Sequence, residues 1–89
     1  MTWAKRTDAN QQDILNALHQ AGMSAIFIGQ PVDILASYAG KNYLFEVKTE
    51  KGKLNKKQRE FFDTWRGQVA VIRSADQALD YIMDDLDNE

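Results

Sequence analysis

The first periodic segment of the chain has the spacing of an amphipathic helix. Its apolar residues recur three and four positions apart, at Ile14, Leu15, Leu18 and Ala21. Asp8 precedes the segment and Gln11 follows three residues later, a variant of the capping box that begins many helices. Gly22 suits the left-handed position that commonly follows the last turn. The pattern predicts a first helix that starts near Asp8 and ends at Gly22.

Three β-prone segments follow this helix. The run 23–28 is apolar and ends at Gly29-Gln30-Pro31, and the runs 32–38 and 43–49 are the next two predicted strands. The stretch 39–42 between them has glycine at its centre, which is typical of a tight turn. We therefore expect the second and third strands to form a β-hairpin.

The second half of the chain predicts a helix, a strand and a last helix. A charged loop, 50–55, leads into a helix over 56–66 with Phe61, Phe62 and Trp65 on its apolar face. The run 68–73 is typical of a largely buried strand. Ser74 and Gln77 form a capping box for the last helix, whose inner face consists of Ala78, Leu79, Ile82, Met83 and Leu86. The element order is α-β-β-β-α-β-α, which predicts an α/β fold with a mixed four-stranded sheet flanked by helices.

Length and composition exclude several classes of protein. At 89 residues we expect a single domain, 1–89, with residues 1–7 flexible and an acidic tail at 87–89. The absence of cysteine excludes disulfides and thiolate metal sites, and the single His19 cannot form a histidine cluster. No apolar run approaches the roughly 18 residues of a membrane span. We expect a cytoplasmic protein without a membrane partner.

Charge is distributed unevenly along the chain. The formal net charge is −2, which taken alone argues against a nucleic-acid partner. Between residues 41 and 59, however, seven bases stand against two acids, whereas 76–89 holds six acids and no base. The bases that follow the third strand, and that we expect to contact DNA phosphates, are Lys51, Lys53, Lys56, Lys57 and Arg59.

Three ionisable residues in the predicted hairpin are candidates for a metal site. If the hairpin turns at Gly40-Lys41, Asp33 lies directly across from Lys48, and Glu46 shares the face of Lys48 because side chains alternate along a strand. Two carboxylates among apolar neighbours repel one another unless a cation lies between them, and their hard oxygens favour Mg²⁺ or Mn²⁺. The alternative is an ordinary surface pair of Glu46 and Lys48 with Asp33 as a turn residue, and the three charges alone do not decide between the two.

The motif and its surroundings resemble a known nuclease superfamily. Pro31-Val32-Asp33, the hairpin and Glu46-Val47-Lys48 look like the PD-(D/E)xK motif, except that Val32 separates the proline from the aspartate. The flanking segments are similar to small stand-alone members of the virus-type replication-repair nuclease family (VRR-NUC). Those segments are Asp8-Ala9-Asn10, Phe45 to Thr49, Leu54 followed by Gln58, Phe61, Phe62 and Trp65, and Val69 to Ser74.

The resemblance implies a function and a set of site residues. Asp33, Glu46, Lys48 and Gln58 would be catalytic, and Asp33, Glu46 and Val47 would bind Mg²⁺ or Mn²⁺, with no organic cofactor. Gln58 also stands three residues after Asn55, so it could instead serve only as a helix cap. Asp13 is the candidate for a further acid from the first helix, although an ordinary solvated residue is the simpler interpretation.

The activity implied by the resemblance is Mg²⁺-dependent endonucleolytic hydrolysis of DNA. Lys48 would orient the attacking water or stabilise the charge that develops on the phosphate. Stand-alone members of the family act as homodimers on four-way junctions, so a dimeric Holliday-junction resolvase is expected. The alternatives are a nuclease for flaps, nicks or duplex DNA, and a catalytically inert DNA-binding module.

Overall fold

A mixed four-stranded sheet organises the part of the chain that the computed structural model describes, residues 9–88. The elements are α1 Ala9–Gln20, β1 Ser24–Phe27, β2 Ile34–Tyr38, β3 Lys41–Val47, α2 Lys56–Thr64, β4 Val69–Ile72 and α3 Ala75–Asp87. The predicted element order and the α/β class are confirmed. The predicted cap Asp8 and the flexible segment 1–7 lie outside the described residues, as does Glu89.

The sheet has the strand order β1-β2-β3-β4. β2 is antiparallel to both β1 and β3, whereas β3 and β4 are parallel, so the chain crosses over through α2 to return in the same direction. β2 therefore starts at the same end of the sheet at which β3 and β4 finish. Lys48 continues the pairing of β3 with β4 at this end of the sheet, because its N–H donates to the carbonyl of Ile72 at 3.1 Å.

The β2–β3 hairpin has a different register from the predicted one. Tyr38 pairs with Lys41, so the two loop residues are Ala39 and Gly40, with φ of 54° and 80°. Such a pair of left-handed residues matches the twist of the strands, and glycine fits the second of the two positions best. The predicted turn at Gly40-Lys41 is wrong by one residue, which shifts the strand pairing by two.

The corrected register changes which residue lies opposite Asp33. Ile34 pairs with Phe45, the N–H of Asp33 donates to the carbonyl of the same Phe45, and the carboxyl group of Asp33 interacts with that of Glu46 instead of lying directly across from Lys48. A shift of two residues leaves every side chain on the same face of its strand, since side chains alternate with a period of two. The prediction that Asp33 and Glu46 point to one face is therefore unaffected.

One face of the sheet forms the core with α1 and α3. Its fully buried members include Ile14 and Leu18 from α1, Ile34 and Phe45 from the sheet, and Ile82 from α3. Intervening residues of β3 point to the opposite face, where α2 and the connecting loops lie. No residue of α2 is buried, although the ring centroids of its Phe61 and the following Trp65 approach to 5.1 Å.

The helix ends follow from local hydrogen bonding. Gly22 has φ of 86° after α1, as its position predicted. Ser74 accepts from the N–H of Gln77, which confirms the N-cap of α3. The predicted acidic tail 87–89 begins inside a helix, since Asp87 is the last residue of α3 and Asn88 is its C-cap. Across residues 9–88, none of the three helices has the length and apolar character to cross a bilayer.

Candidate active site

Two backbone hydrogen bonds fix Asp33 against β3. The residue immediately precedes β2, and its N–H donates to the carbonyl of Phe45 at 3.1 Å. The N–H of Val47 in turn donates to Oδ2 of Asp33 at 2.8 Å. In this second bond the side chain of Asp33 accepts from the backbone of β3 just before β2 begins, so it prolongs the hydrogen bonding between the two strands. It holds one carboxylate oxygen in place and directs the side chain towards Glu46.

Glu46 is the buried acid of the site. It is 4% exposed, the only charged residue in the buried interior of residues 9–88. Its Oε2 lies 3.4 Å from Nζ of Lys48, which follows β3 on the same face. The Nε2 of Gln58 donates to the same oxygen at 2.9 Å. A lysine and an amide thus converge on one oxygen of a single carboxylate.

Burial and the neighbouring Asp33 both disfavour the ionised form of Glu46. Burial raises the pKa of Glu46 above its ordinary value, the negative charge of Asp33 raises this pKa further, and the nearby Lys48 partly opposes both. The net shift is upward, so the lysine does not fully compensate for burial and repulsion. An additional positive charge near the two carboxylates would remove this conflict.

The donor set fits a hard divalent cation. Asp33 accepts a hydrogen bond through Oδ2, Glu46 contacts Gln58 and Lys48 through Oε2, and the two carboxyl groups lie close enough to interact directly. The carbonyl of Val47 points to the same side of the strand as its N–H, which faces Asp33. Carboxylate and carbonyl oxygens are the ligands that Mg²⁺ and Mn²⁺ prefer, and water or phosphate commonly completes their coordination.

No further acid joins this pair within the described part of the chain. Residues 9–88 contain no cluster of three or more acidic, histidine or cysteine side chains able to hold a metal. Asp13, the candidate accessory acid, is an exposed residue of α1. The structure therefore does not bring Asp13 to the site, and the simpler interpretation of this residue applies.

Gln58 closes the cap of α2 and also contacts Glu46. Its Oε1 accepts from the N–H of Asn55 at 2.9 Å, and its N–H donates to Oδ1 of Asn55 at 2.8 Å, which completes the capping box of α2. The remaining Nε2 donates to Glu46. The cap thus fixes the amide of Gln58 so that it can reach the carboxylate across the cleft.

A cleft of about 390 Å³ opens over the carboxylates. It is lined by Gly29, Gln30, Pro31, Asp33, Glu46, Asn55, Lys57, Gln58 and Phe61. Of the five bases predicted to bind DNA, Lys57 lines this cleft, and the others are exposed along the loop and the first turns of α2. These positive side chains lie beside an acidic cleft. Within residues 9–88, none of the five forms an ion pair with a carboxylate.

Arg73 is a residue that sequence reasoning did not single out for this region. It follows β4, and its Nη1 donates to the carbonyls of Thr49, Glu50 and Gly52 in the loop after Lys48. The available signal was an arginine directly after the apolar strand β4, which is parallel to the strand with the motif. No protein-family model, curated protein or solved structure matches the chain.

Proposed function

We propose that this chain is a divalent-cation-dependent endonuclease that hydrolyses phosphodiester bonds in DNA. The observation that carries the proposal is the pairing of two acids from adjoining strands, Asp33 and buried Glu46, with Lys48 at 3.4 Å from the glutamate. The repulsion and desolvation of two adjacent carboxylates oppose folding, and a bound cation would remove this cost.

Each residue of the proposed site has a distinct role. Asp33, Glu46 and the carbonyl of Val47 would hold Mg²⁺ or Mn²⁺. When bound, the cation supplies positive charge that stabilises a phosphate and acidifies water. Lys48 donates to Glu46 in the free protein, and on substrate binding its ammonium can stabilise charge on the phosphate. Gln58 holds Glu46 through its amide and keeps this carboxylate oriented towards the cleft.

The exposed bases next to the cleft support DNA as the substrate. Phosphate contacts supply most of the affinity in sequence-independent binding, and they require lysine and arginine side chains that are accessible. Lys51, Lys53, Lys56, Lys57 and Arg59 are all exposed, and all lie within eleven residues of Lys48. Among residues 9–88, none of the elements has the form of a module that reads base edges, so we expect weak sequence preference.

The finer proposal is membership of the virus-type replication-repair nuclease family and action as a homodimer on four-way junctions. It rests on the motif and flanking residues of the sequence. One copy of the chain holds one pair of acids, so two cuts placed symmetrically in a junction require a second copy related by a two-fold axis. Sedimentation of the native protein tests the dimer.

Cleavage assays with the native protein and two variants test the activity. Labelled four-way, flap and linear DNA are incubated with Mg²⁺, and with Asp33→Ala and Lys48→Ala in parallel. We expect the native protein to cut the junction and each variant to lose at least 100-fold of its rate, the order of loss seen when a charge-stabilising group is removed. Asp63→Ala and Arg66→Ala are the matched controls, since both residues are exposed and away from the cleft.

Each result of this assay has a clear meaning. Unchanged cutting by either site variant contradicts the proposed mechanism. Binding of DNA without cutting by the native protein favours the inert module, and preferential cutting of flaps or linear duplex favours the other nuclease activities.

A further inference from the structure

The guanidinium of Arg73 joins β4 to the loop that follows β3. Its Nη1 donates to three carbonyls of one turn, those of Thr49, Glu50 at 3.4 Å and Gly52 at 2.9 Å. The contacts span 21 to 24 residues of sequence. Arginine suits this task, because its fixed and always charged fork can satisfy several acceptors that a flexible ammonium reaches less well.

The backbone of Arg73 is itself held on two sides. Its N–H donates to Oε1 of Gln77 at 2.7 Å, and its carbonyl accepts from Nδ2 of Asn10 at 3.3 Å. The first turns of α3 and α1 therefore both fix the point from which the side chain extends. Throughout residues 9–88, no carboxylate lies within ion-pair distance of this guanidinium, so its partners are carbonyl dipoles alone.

The loop depends on these contacts for its position. Across the described chain, every hydrogen bond that connects 49–53 to another element comes from Arg73. Within the loop, the N–H of Gly52 donates to the carbonyl of Thr49 at 3.0 Å. A Cβ added to Gly52 would lie 3.4 Å from Cβ of Lys48, so the turn folds back against the lysine of the motif.

We infer that Arg73 is a positioning residue that holds the loop 49–53 against Lys48 and thereby orders Lys51 and Lys53 for contact with DNA phosphates. The inference rests on the proposed function. A loop that is ordered before binding loses less conformational entropy when its lysines contact a ligand. Arg73 itself would contribute through the loop and not by touching DNA.

Hydrogen exchange and DNA binding test the inference together. The native protein, Arg73→Met and Arg73→Lys are compared by amide exchange at 49–53 and by binding to a labelled four-way DNA in EDTA. We expect Arg73→Met to speed exchange in the loop by at least tenfold, with α1 amides unchanged, and to weaken binding by about 5- to 20-fold. Arg73→Lys should have loop exchange rates and a DNA affinity between those of the native protein and Arg73→Met, because lysine keeps the charge and part of the donor set.

A double-mutant cycle separates positioning from direct contact. Arg73→Met is combined with the pair Lys51→Ala and Lys53→Ala, and we expect little further weakening once these lysines are absent. Arg66→Met is the matched control, since it removes one exposed arginine charge elsewhere and should add its small effect independently. An additive cycle for Arg73, or loop exchange equal to that of the native protein, overturns the inference.

The design also distinguishes failure of this inference from failure of the proposed function. A native protein that does not bind the four-way DNA refutes the proposed function and, with it, the role of the loop in DNA binding. A native protein that binds, with Arg73 additive to the lysines, refutes only the positioning role. If Arg73→Met does not fold, Arg73→Lys decides, and native loop exchange in that variant counts against the inference.

Discussion

Gln58 donates a hydrogen bond to Glu46 at 2.9 Å, and the same side chain closes the capping box at the start of α2. This helix has nine residues and none of them is buried, so packing contributes little to its stability. Lys56 and Lys57 occupy its first turn, where the helix dipole disfavours positive charge. The contacts of Gln58 are therefore a principal link between α2 and the sheet.

We predict that Gln58→Ala lowers the free energy of unfolding by about 1–2 kcal/mol and loosens α2. The change removes an exposed capping contact and a hydrogen bond to a charged group, and the two contacts together have about this magnitude, since the exposed capping contact contributes little. Urea denaturation and amide exchange in α2 provide the measurements. Gln12→Ala is the control, because Gln12 makes one exposed hydrogen bond to Asn16 and should cost less than about 0.5 kcal/mol. Equal losses in the two variants would show that the link to Glu46 contributes nothing.

We predict that Glu46→Gln stabilises the metal-free protein at neutral pH while abolishing its response to divalent cations. The pKa of Glu46 is raised above its ordinary 4.5, so the ionised form opposes folding at neutral pH. This cost is relieved as the pH falls through the raised pKa, and Gln removes it at every pH. We expect Glu46→Gln to be more stable than the native protein in EDTA at neutral pH, and we expect this difference to disappear in acid.

Thermal unfolding with and without Mn²⁺ checks both halves of this prediction. The cation should raise the melting temperature of the native protein, because it binds only the folded state, and should leave Glu46→Gln unchanged. Glu50→Gln is the control, since Glu50 is exposed in the loop and is not part of the carboxylate pair. A loss of stability for Glu46→Gln in EDTA at neutral pH would contradict the prediction.

The sequence predicted the element order because each element of this chain has a strong local signal. Helical spacing, the cap at Ser74 and the glycine after α1 all act within a few residues, and the structure agrees with each of them. The shared face of Asp33 and Glu46 was predictable for a similar reason, since it depends only on the alternation of side chains along strands.

Contacts between distant segments were not predictable in this way. The bond from the N–H of Val47 to Asp33 depends on the register of the hairpin, and the contacts of Arg73 depend on the parallel pairing of β3 with β4. Register in a hairpin is set by the conformation of its two loop residues. Choosing between Ala39-Gly40 and Gly40-Lys41 required knowing which pair adopts left-handed backbone angles.

We predict that Ala39→Asn stabilises the hairpin by about 0.5–1 kcal/mol. Ala39 has φ of 54°, a left-handed conformation that costs alanine free energy and that asparagine tolerates better, particularly before glycine in a two-residue loop. Urea denaturation provides the measurement. Ala21→Asn is the control, since Ala21 is exposed in the turn after α1 without a positive φ, and asparagine there should change the free energy of unfolding by less than about 0.5 kcal/mol. A destabilised Ala39→Asn would contradict the loop conformation.

A second carboxylate, Asp85 of α3, gives a prediction about acid stability. Its Oδ2 lies 2.7 Å from Nζ of Lys41 and accepts from the hydroxyl of buried Tyr43 at 2.8 Å. The hydrogen bonds from Lys41 and Tyr43 lower the pKa of Asp85 below its ordinary 3.8. Because the folded state favours the ionised carboxylate, Asp85 stabilises the protein above that ordinary value, and this contribution is lost as the pH falls through the lowered pKa.

We predict that Asp85→Asn is less stable than the native protein at neutral pH and that the difference closes in acid. Asparagine keeps an oxygen that can accept from Tyr43, so the variant removes the charge while preserving that hydrogen bond. Urea midpoints measured from pH 7 down to about pH 2.5 follow the difference. Asp84→Asn, a change at an exposed neighbour on the same helix, is the matched control. If the difference in urea midpoint between the native protein and Asp85→Asn persisted in acid, the charge of Asp85 would not be what stabilises the contact between α3 and β3.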